Sequence, residues 1–552
     1  MTVKTRRVLL GVGILATSAM LLAACGPSKN ASTSGTKLDT AELKPYGKYK
    51  KPMTFTYGRQ QRVKDSLAKG DTLTNNPATR WLKQETNITV KPAWEAADFT
   101  QKVSLVMSTG DLPDVMTVYQ DQYNQLLQNG LLEDLTTVYK KAASPLVKKN
   151  IASYDQDVLK IASQDGKLMA IPSPYPYNEE NILWIRKDWL DKLHLPVPET
   201  IDDLENVAKQ FVDKDVSGTG KTVGITLSPT ISGGDGSQMD AGLIFNQYNA
   251  FPSHFIKKDG KVVYGSVEPE TKQVLQMLAR WYKEGIIDKE FATRTDDEKK
   301  ALLAKNMGIY IAPFWGLDFL NSYEADKNAN WIPITGPVKE KGDKFISTHP
   351  APVFRYVVVK KGFAHPEAVM RAINNVTDFL ANTGKAAKFR QAEAKKVGMK
   401  DVSMDWYLAP IDVQITNAYK NKQGYDQLEK ALKTNDPSIL PAGGGDTYKD
   451  IKAFEKNRDP KGLSAYLGHV GVGASTENDK IDFVDLAYYG NTKTMVQKGA
   501  NLKKLEDETF IKIIMGQAPI SSFDTFVTQW KAQGGTDALK EVQTAVDKGQ
   551  VQ

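Results

Sequence analysis

A single cysteine, Cys25, stands in a chain of 552 residues, and it removes covalent cross-linking from the ways this chain can hold its shape. No disulfide can form within one copy, so the fold must be stabilised by its buried core alone. A chain this long exceeds what one core supports and divides into at least two domains. The material for such cores is present: 41% of the residues are hydrophobic and 25% charged, ordinary values for a globular protein.

The position of Cys25 constrains the chain further. Lys4, Arg6 and Arg7 open the sequence, a weakly polar to apolar run extends from Val8 to Ala24, and it closes as Leu22-Ala23-Ala24-Cys25-Gly26. A basic start, an apolar middle and small residues before a cut are the parts of an export signal. The Leu-Ala-Ala-Cys string resembles a bacterial lipobox. That likeness implies a signal peptide over 1–24, diacylglycerol and a fatty acid such as palmitate on Cys25, and a mature chain beginning there. The alternatives are an ordinary secretory signal with an incidental cysteine, or a signal anchor. No second stretch of about 20 apolar residues follows, so one lipidated cysteine would hold a large soluble body at the membrane. Such a body has no nucleotide pool and no cytosolic partners.

Net charge is +7, three of those charges lying in the leader. The remaining lysines are scattered and form no basic stripe, which excludes a nucleic-acid partner. Residues 26–50 contain no Val, Ile, Phe or Trp and read as a flexible tether, with Cys25 making the unit 25–50. Fully extended, it would reach about 80 Å. Beyond it strand and helix signals alternate. Met53 to Tyr57 reads as a strand broken by Gly58, Thr79 to Gln84 as helix, Ile88 to Val90 as strand and Phe99 to Met107 as helix. Val115 to Val118 reads as a buried strand. Pro269 suits the first turn of a helix whose Val274, Leu275, Leu278, Trp281 and Tyr282 form one apolar stripe, ended by Gly285. The alternation predicts an α/β architecture.

Four strings carry a family likeness. The first is Gly110-Asp111-Leu112-Pro113-Asp114-Val115, continuing through Asp121 to Gly130-Leu131-Leu132-Glu133-Asp134-Leu135. The second is Asp165 to Pro172 followed by Ile185 to Leu193. The third is Asp259-Gly260-Lys261 with the Pro269 helix and Glu284 to Phe291. The fourth is Ile513-Ile514-Met515-Gly516 followed by Phe523-Asp524 and Trp530. Together they resemble the extracytoplasmic solute-binding proteins of sugar-importing ABC transporters, within the maltose-binding-protein-like superfamily, and in particular the large lipoprotein subgroup of Gram-positive oligosaccharide importers. The resemblance implies a two-lobed periplasmic-binding-protein-like fold over 51–552, with lobes of approximately 51–170 plus 350–400 and 171–349 plus 401–552. It also implies a hinge, a sugar held in the interlobe cleft, and closure that presents a docking surface to the permease. The expected protein is a monomeric, non-enzymatic receptor on the outer face of a Gram-positive membrane.

A sugar site needs flat apolar faces and polar groups that bind hydroxyls. Asp121 falls where maltodextrin-binding relatives place a hydroxyl-binding Asp, and it would otherwise be a helix N-cap. Tyr119 would face the same side if its strand continues. Trp315 follows a strand-like run from Met307 to Ile311, at a place where maltose-type relatives stack a Trp on sugar. The extra Phe314 leaves either ring as the platform, and a core Trp is the alternative. Pro172 to Glu180 is a rigid loop near the expected crossover, carrying Tyr175 and Tyr177, and Glu180 stands near a sugar-binding Glu of those relatives. Arg59, Trp94 and Glu95 should lie at strand C-termini, where open α/β sheets bind ligands. Trp406-Tyr407 is a further aromatic pair. The slight positive charge hints at uronic acids, with Arg59 as a partner, beside a neutral oligosaccharide.

Other signals are discounted. Gly218-Thr219-Gly220-Lys221-Thr222 lacks the first glycine of a phosphate loop and follows a helix. Asp213, Asp215, Ser217 and Gly218 match the first half of a calcium loop, which relatives often carry here, but Lys221, Thr222 and Gly224 occupy places where acids are wanted. A metal-free turn is expected. The five histidines show no ligand spacing. A secreted glycoside hydrolase and a surface interaction protein are the competing readings.

Overall fold

In a computed structural model the described residues are 42–62, 67–155, 157–232, 238–349, 351–398, 402, 406–441 and 444–548. The expected leader, Cys25 and most of the expected tether lie outside them. The framework strands are, in chain order, β1 (Met53–Gln60), β2 (Ile88–Ala96), β3 (Val115–Val118), β4 (Ile171–Pro174), β5 (Ile182–Arg186), β6 (Ile309–Ala312), β7 (Trp331–Ile334), β8 (Phe345–Thr348), β9 (Val353–Val359) and β10 (Ile481–Val484). They form one sheet in the order β2-β1-β3-β9-β4 and another in the order β6-β5-β7, while β8 pairs with β10. In the first sheet β1, β2 and β3 run parallel, and β9 runs antiparallel to both β3 and β4.

Each sheet organises its own core, and this makes the molecule two-lobed. Phe55, Tyr57, Val115, Val118, Tyr356 and Val358 anchor the first core. In the second, Leu183, Ile185, Ile309 and Ile311 pack with Val274, Leu278 and Trp281. The opposite face of that sheet, through Ile182, Trp184, Tyr310 and Trp331, packs with Phe319 and Leu467. Cover on both faces explains why Ile182-Leu183-Trp184-Ile185 reads as a continuous apolar run. The chain passes between lobes over 175–181, again between β8 and β9, and again beyond Ala418. The first core also takes in Ile171, Ala409, Ile411, Val413, Ile415 and Ala418, so the cores divide later in the chain than the expected boundaries at 170 and 400.

The helix Pro269–Lys283 carries proline in its first turn and buries Val274, Leu275, Leu278 and Trp281, with Tyr282 half-buried. Gly285 at φ +83° follows it. Two strands run longer than their sequence suggests. β1 passes through Gly58 by a register shift rather than breaking there. β2 continues past Pro92 because it is an edge strand, where a missing N–H costs no ladder bond.

Residues 42–50, expected as tether, are packed down instead. Tyr49 is buried, its hydroxyl donating to Glu367 Oε1 at 3.1 Å and its ring lying 4.2 Å from the Arg371 guanidinium. Arg371, fully buried on the helix Pro366–Ala381, donates to the Glu42 carbonyl and carboxylate at 2.7 and 2.8 Å. Asn374 donates to the Pro45 carbonyl at 2.8 Å.

Candidate functional site

The C-terminal ends of β1 and β3, the start of β9 and the segment 406–412 meet at one edge of the first sheet. That is the edge at which open α/β sheets take ligands. β3 stops at Val118, and Tyr119 becomes the N-cap of the helix Gln120–Gln128, its N–H donating to Gln122 Oε1 at 3.1 Å. Asp121 is therefore not the cap but lies in the first turn. The Tyr119 hydroxyl is a hub: it donates to Gln60 Oε1 at 2.8 Å and accepts from Arg62 at 3.0 Å and from Arg355 at 2.9 Å. Burial raises this phenol above its ordinary pKa.

Arg355 is the centre of the cluster. It is buried, donates to Asp412 Oδ2 at 2.5 Å, and sits 4.7, 4.8 and 5.1 Å from the rings of Phe354, Tyr119 and Trp406. Burial pushes the Asp412 carboxyl up, while the guanidiniums of Arg62 and Arg59 pull it back. The Nε atoms of Arg62 and Arg355 and Oδ1 of Asp412 are buried without a hydrogen-bond partner.

The structure brings several sequence-derived candidates into this network. Tyr175 meets Phe354 edge-on at 5.4 Å, and Trp406 does so at 6.0 Å. Trp94 lies 6.0 Å from Phe99, which lies 6.0 Å from Tyr119. The Arg59 guanidinium donates to the carbonyls of Tyr407 and Ala409 at 3.3 and 2.9 Å and pairs with Glu95 at 3.7 Å. Arg59 is buried, and its donors hold the 406–412 segment, which removes it as the partner of an acidic sugar. Asp121 adjoins the network and accepts a hydrogen bond from Asn491 of the second lobe. Although it reaches solvent, the protein around it raises its carboxyl.

Other candidates lie elsewhere. Tyr177 accepts from the Asp155 N–H at 3.1 Å and packs on Tyr154, Tyr419 and His349. Glu180 lies 3.8 Å from His349 Nδ1, and His349 stacks on Phe483 at 4.3 Å. Both residues thus sit in the crossing between lobes. Phe314 packs against Gly471, where an added Cβ would stand 3.1 Å from the Phe314 Cβ. Trp315, beyond the end of β6, is 46% exposed. Of the two rings offered by the sequence, Trp315 is the one free to stack.

Gln60, Arg62, Phe354, Arg355, Asp412 and Asn491 escape the sequence reading. Gln60 and Arg62 do follow Arg59 in the frame that continues β1, and Phe354-Arg355 opens the long apolar run of β9, which were usable signals.

The loop over 213–224 is closed by its own hydrogen bonds. Asp215 accepts from Thr222 Oγ1 at 2.6 Å, Ser217 Oγ at 3.3 Å and the Gly220 N–H at 2.7 Å. Ser217 exchanges a further bond with Thr222 at 2.7 Å, and Asp213 pairs with Lys209 at 3.4 Å. At Gly224 an added Cβ would stand 2.5 Å from the Ile286 carbonyl oxygen, so the acid that would close such a loop has no room. Among the described residues no group of three or more His, Cys, Asp or Glu side chains is arranged to hold a metal.

The model of the family described as bacterial extracellular solute-binding protein matches residues 64–382. Lipoprotein LipO of Bacillus subtilis (strain 168) is 22% identical over 95% of this chain and 96% of its own length. The polygalacturonan/rhamnogalacturonan-binding protein YtcQ of the same strain is 24% identical over 98% of each chain. The fructooligosaccharide ABC transporter substrate-binding protein FusA of Streptococcus pneumoniae serotype 4 is 24% identical over 86% of this chain and 83% of its own. Among solved structures, the alginate-binding protein AlgQ2 without calcium superposes with a TM-score of 0.62 at 18% identity, covering 91% of this chain and all of that one.

Proposed function

Because this chain belongs to the bacterial extracellular solute-binding protein family, we propose that it is the receptor of an ABC importer and captures an oligosaccharide between its lobes for delivery to the permease. The observation that carries this reading is the half-buried patch of Tyr119, Tyr175, Phe354 and Trp406 around Arg62 and Arg355, on the ligand-binding edge of the first sheet. Flat rings fit the apolar faces of sugars, and the unpartnered Nε donors and Asp412 oxygen fit their hydroxyls. Asn491 on Asp121 brings the second lobe to the same rim. Trp315, free to stack, supplies a candidate platform from that lobe.

Cys25 would carry the lipid and hold the protein on the outer face of a Gram-positive membrane, in line with the lipobox-like string and the name of LipO. We take the protein to be a monomer that binds without turnover, as its relatives are named for binding. We also take the 213–224 loop to work without metal, since its own hydroxyls and amides already engage Asp215. The named ligands of the relatives run from fructooligosaccharides to polygalacturonan, so kinship leaves the sugar class open.

The test is a thermal-shift screen of the purified protein against neutral and acidic oligosaccharides. A ligand at about 100 times its dissociation constant adds about 2.7 kcal/mol to the folded state. A clear upward shift without hydrolysis products supports the receptor reading. Product formation would turn it toward a glycoside hydrolase, and silence across all glycans would end the sugar assignment.

A further inference from the structure

We propose that the oligosaccharide this protein takes is acidic, with a hexuronate carboxylate received by Arg62 at the edge of the Arg355 cluster. The inference rests on the oligosaccharide-receptor reading and names its ligand class. Around the patch stand the cations Arg59, Arg62, Arg355 and, over Trp94, Lys102. Among the described residues the carboxylates facing them are Glu95, Asp412 and Asp121. Glu95 pairs with Arg59, Asp412 with Arg355, and Asp121 is engaged by Asn491.

Arg62 and Lys102 are left without a carboxylate, and of the two it is Arg62 that adjoins the Arg355 cluster through the Tyr119 hydroxyl. Among the described residues no carboxylate lies within ion-pair distance of it, and its one hydrogen bond goes to the Tyr119 hydroxyl. Its Nε is buried with no acceptor, and so is that of Arg355, which is itself 97% buried. A guanidinium is never neutral in a protein and carries donors only, so an unmatched buried Nε demands an acceptor from outside. A carboxylate answers best, because it meets the planar fork with two parallel hydrogen bonds and cancels the excess charge. A sugar hydroxyl would offer one acceptor and leave that charge standing.

The patch also has the shape for a uronate ring. Tyr407 lies under Arg62 at 5.9 Å, and Tyr119 and Trp406 flank Arg355. The pyranose can lie on a ring while its carboxylate reaches the fork beside it.

The experiment uses matched pairs: trisaccharides of galacturonate, mannuronate and glucuronate, each beside its carboxyl-reduced neutral form. Affinities are measured by calorimetry for the wild-type chain, Arg62→Gln and Arg62→Lys. At least one uronate should bind about tenfold or more tighter than its neutral partner, and its affinity should fall with added salt. Arg62→Gln should remove that preference, so that in this variant the uronate binds no tighter than its neutral partner. Arg62→Lys, which keeps the charge but not the fork, should retain part of it. Arg355→Gln is a poorer probe, since it strands Asp412 in the core. Melting temperatures of the ligand-free variants show that each is folded.

Neutral forms binding as tightly as the acids would overturn the proposal, as would a preference undiminished in Arg62→Gln. If only neutral glycans bind, the receptor reading stands and this inference alone falls. If no glycan binds, both fall.

Discussion

Gly58 occupies a point of β1 where no side chain fits, because the indole of Trp94 lies on its backbone. An added Cβ would stand 2.5 Å from Trp94 Cε2 and 3.1 Å from Pro113 Cγ. Gly58→Ala should therefore cost about 1–3 kcal/mol by overpacking and move Trp94, which chemical denaturation followed by tryptophan fluorescence will read. Trp315 is the opposite case. Being 46% exposed, its replacement by alanine should change stability by no more than about 0.5 kcal/mol while weakening the sugar about tenfold, or about 1.4 kcal/mol. Equal affinity in that variant would remove Trp315 from the site. At this scale the sequence was only partly legible. Aromatic residues near strand ends pointed to one rim of the first sheet, and the structure gathers several of them there, because strand direction alone sets that. Arg59 and Arg62 could not be told apart. Which of them is consumed by the carbonyls of Tyr407 and Ala409 depends on a segment almost 350 residues away.

Elements were more legible than their lengths. The alternation over Met53 to Tyr57 and the stripe of the Pro269 helix are local, and both elements formed. Gly58 reads as a break and the second strand as ending at Val90, yet β1 runs through the glycine and β2 through Pro92, since a neighbouring indole explains the glycine and an edge position excuses the proline. Two predictions belong here. The 213–224 loop should be indifferent to calcium, so adding the ion or a chelator should leave the melting temperature where it was; a rise with calcium would restore the metal. The second concerns the turn carrying His254, packed near Glu506 and Lys503 of the helix Lys493–Ile514. Burial pulls the imidazole down from 6.5 to about 4. Between those values the unfolded chain binds more protons than the folded one, so stability rises with pH through that window. It is fully present above about 6.5 and lost as pH falls toward 4, by at most about 3 kcal/mol. His254→Gln should flatten the acid side of the stability profile relative to wild type.

At the scale of the whole molecule, the first lobe is finished by residues that precede its first strand. Composition hid this, because 42–50 holds no Val, Ile, Phe or Trp, and its docking depends on Leu43, the Tyr49 ring and polar groups of a helix over 300 residues later. Tyr49→Ala should cost about 3 kcal/mol or more, leaving Glu367 and Arg371 buried without their cover. Deleting everything before Met53 should cost at least as much, whereas a chain beginning at Glu42 should melt like the longer one. Denaturant titration of the three forms decides it. The docking also changes a length. With Cys25 as the proposed anchor, only residues 26–41 separate the lipid from Glu42, a contour of about 60 Å at most. If Cys25 carries a lipid, a span that short would confine the receptor to a shell where a neighbouring permease would meet it at an effective concentration on the order of millimolar. Encounter would then be set by how often the lobes close on sugar, not by how far the protein has to travel.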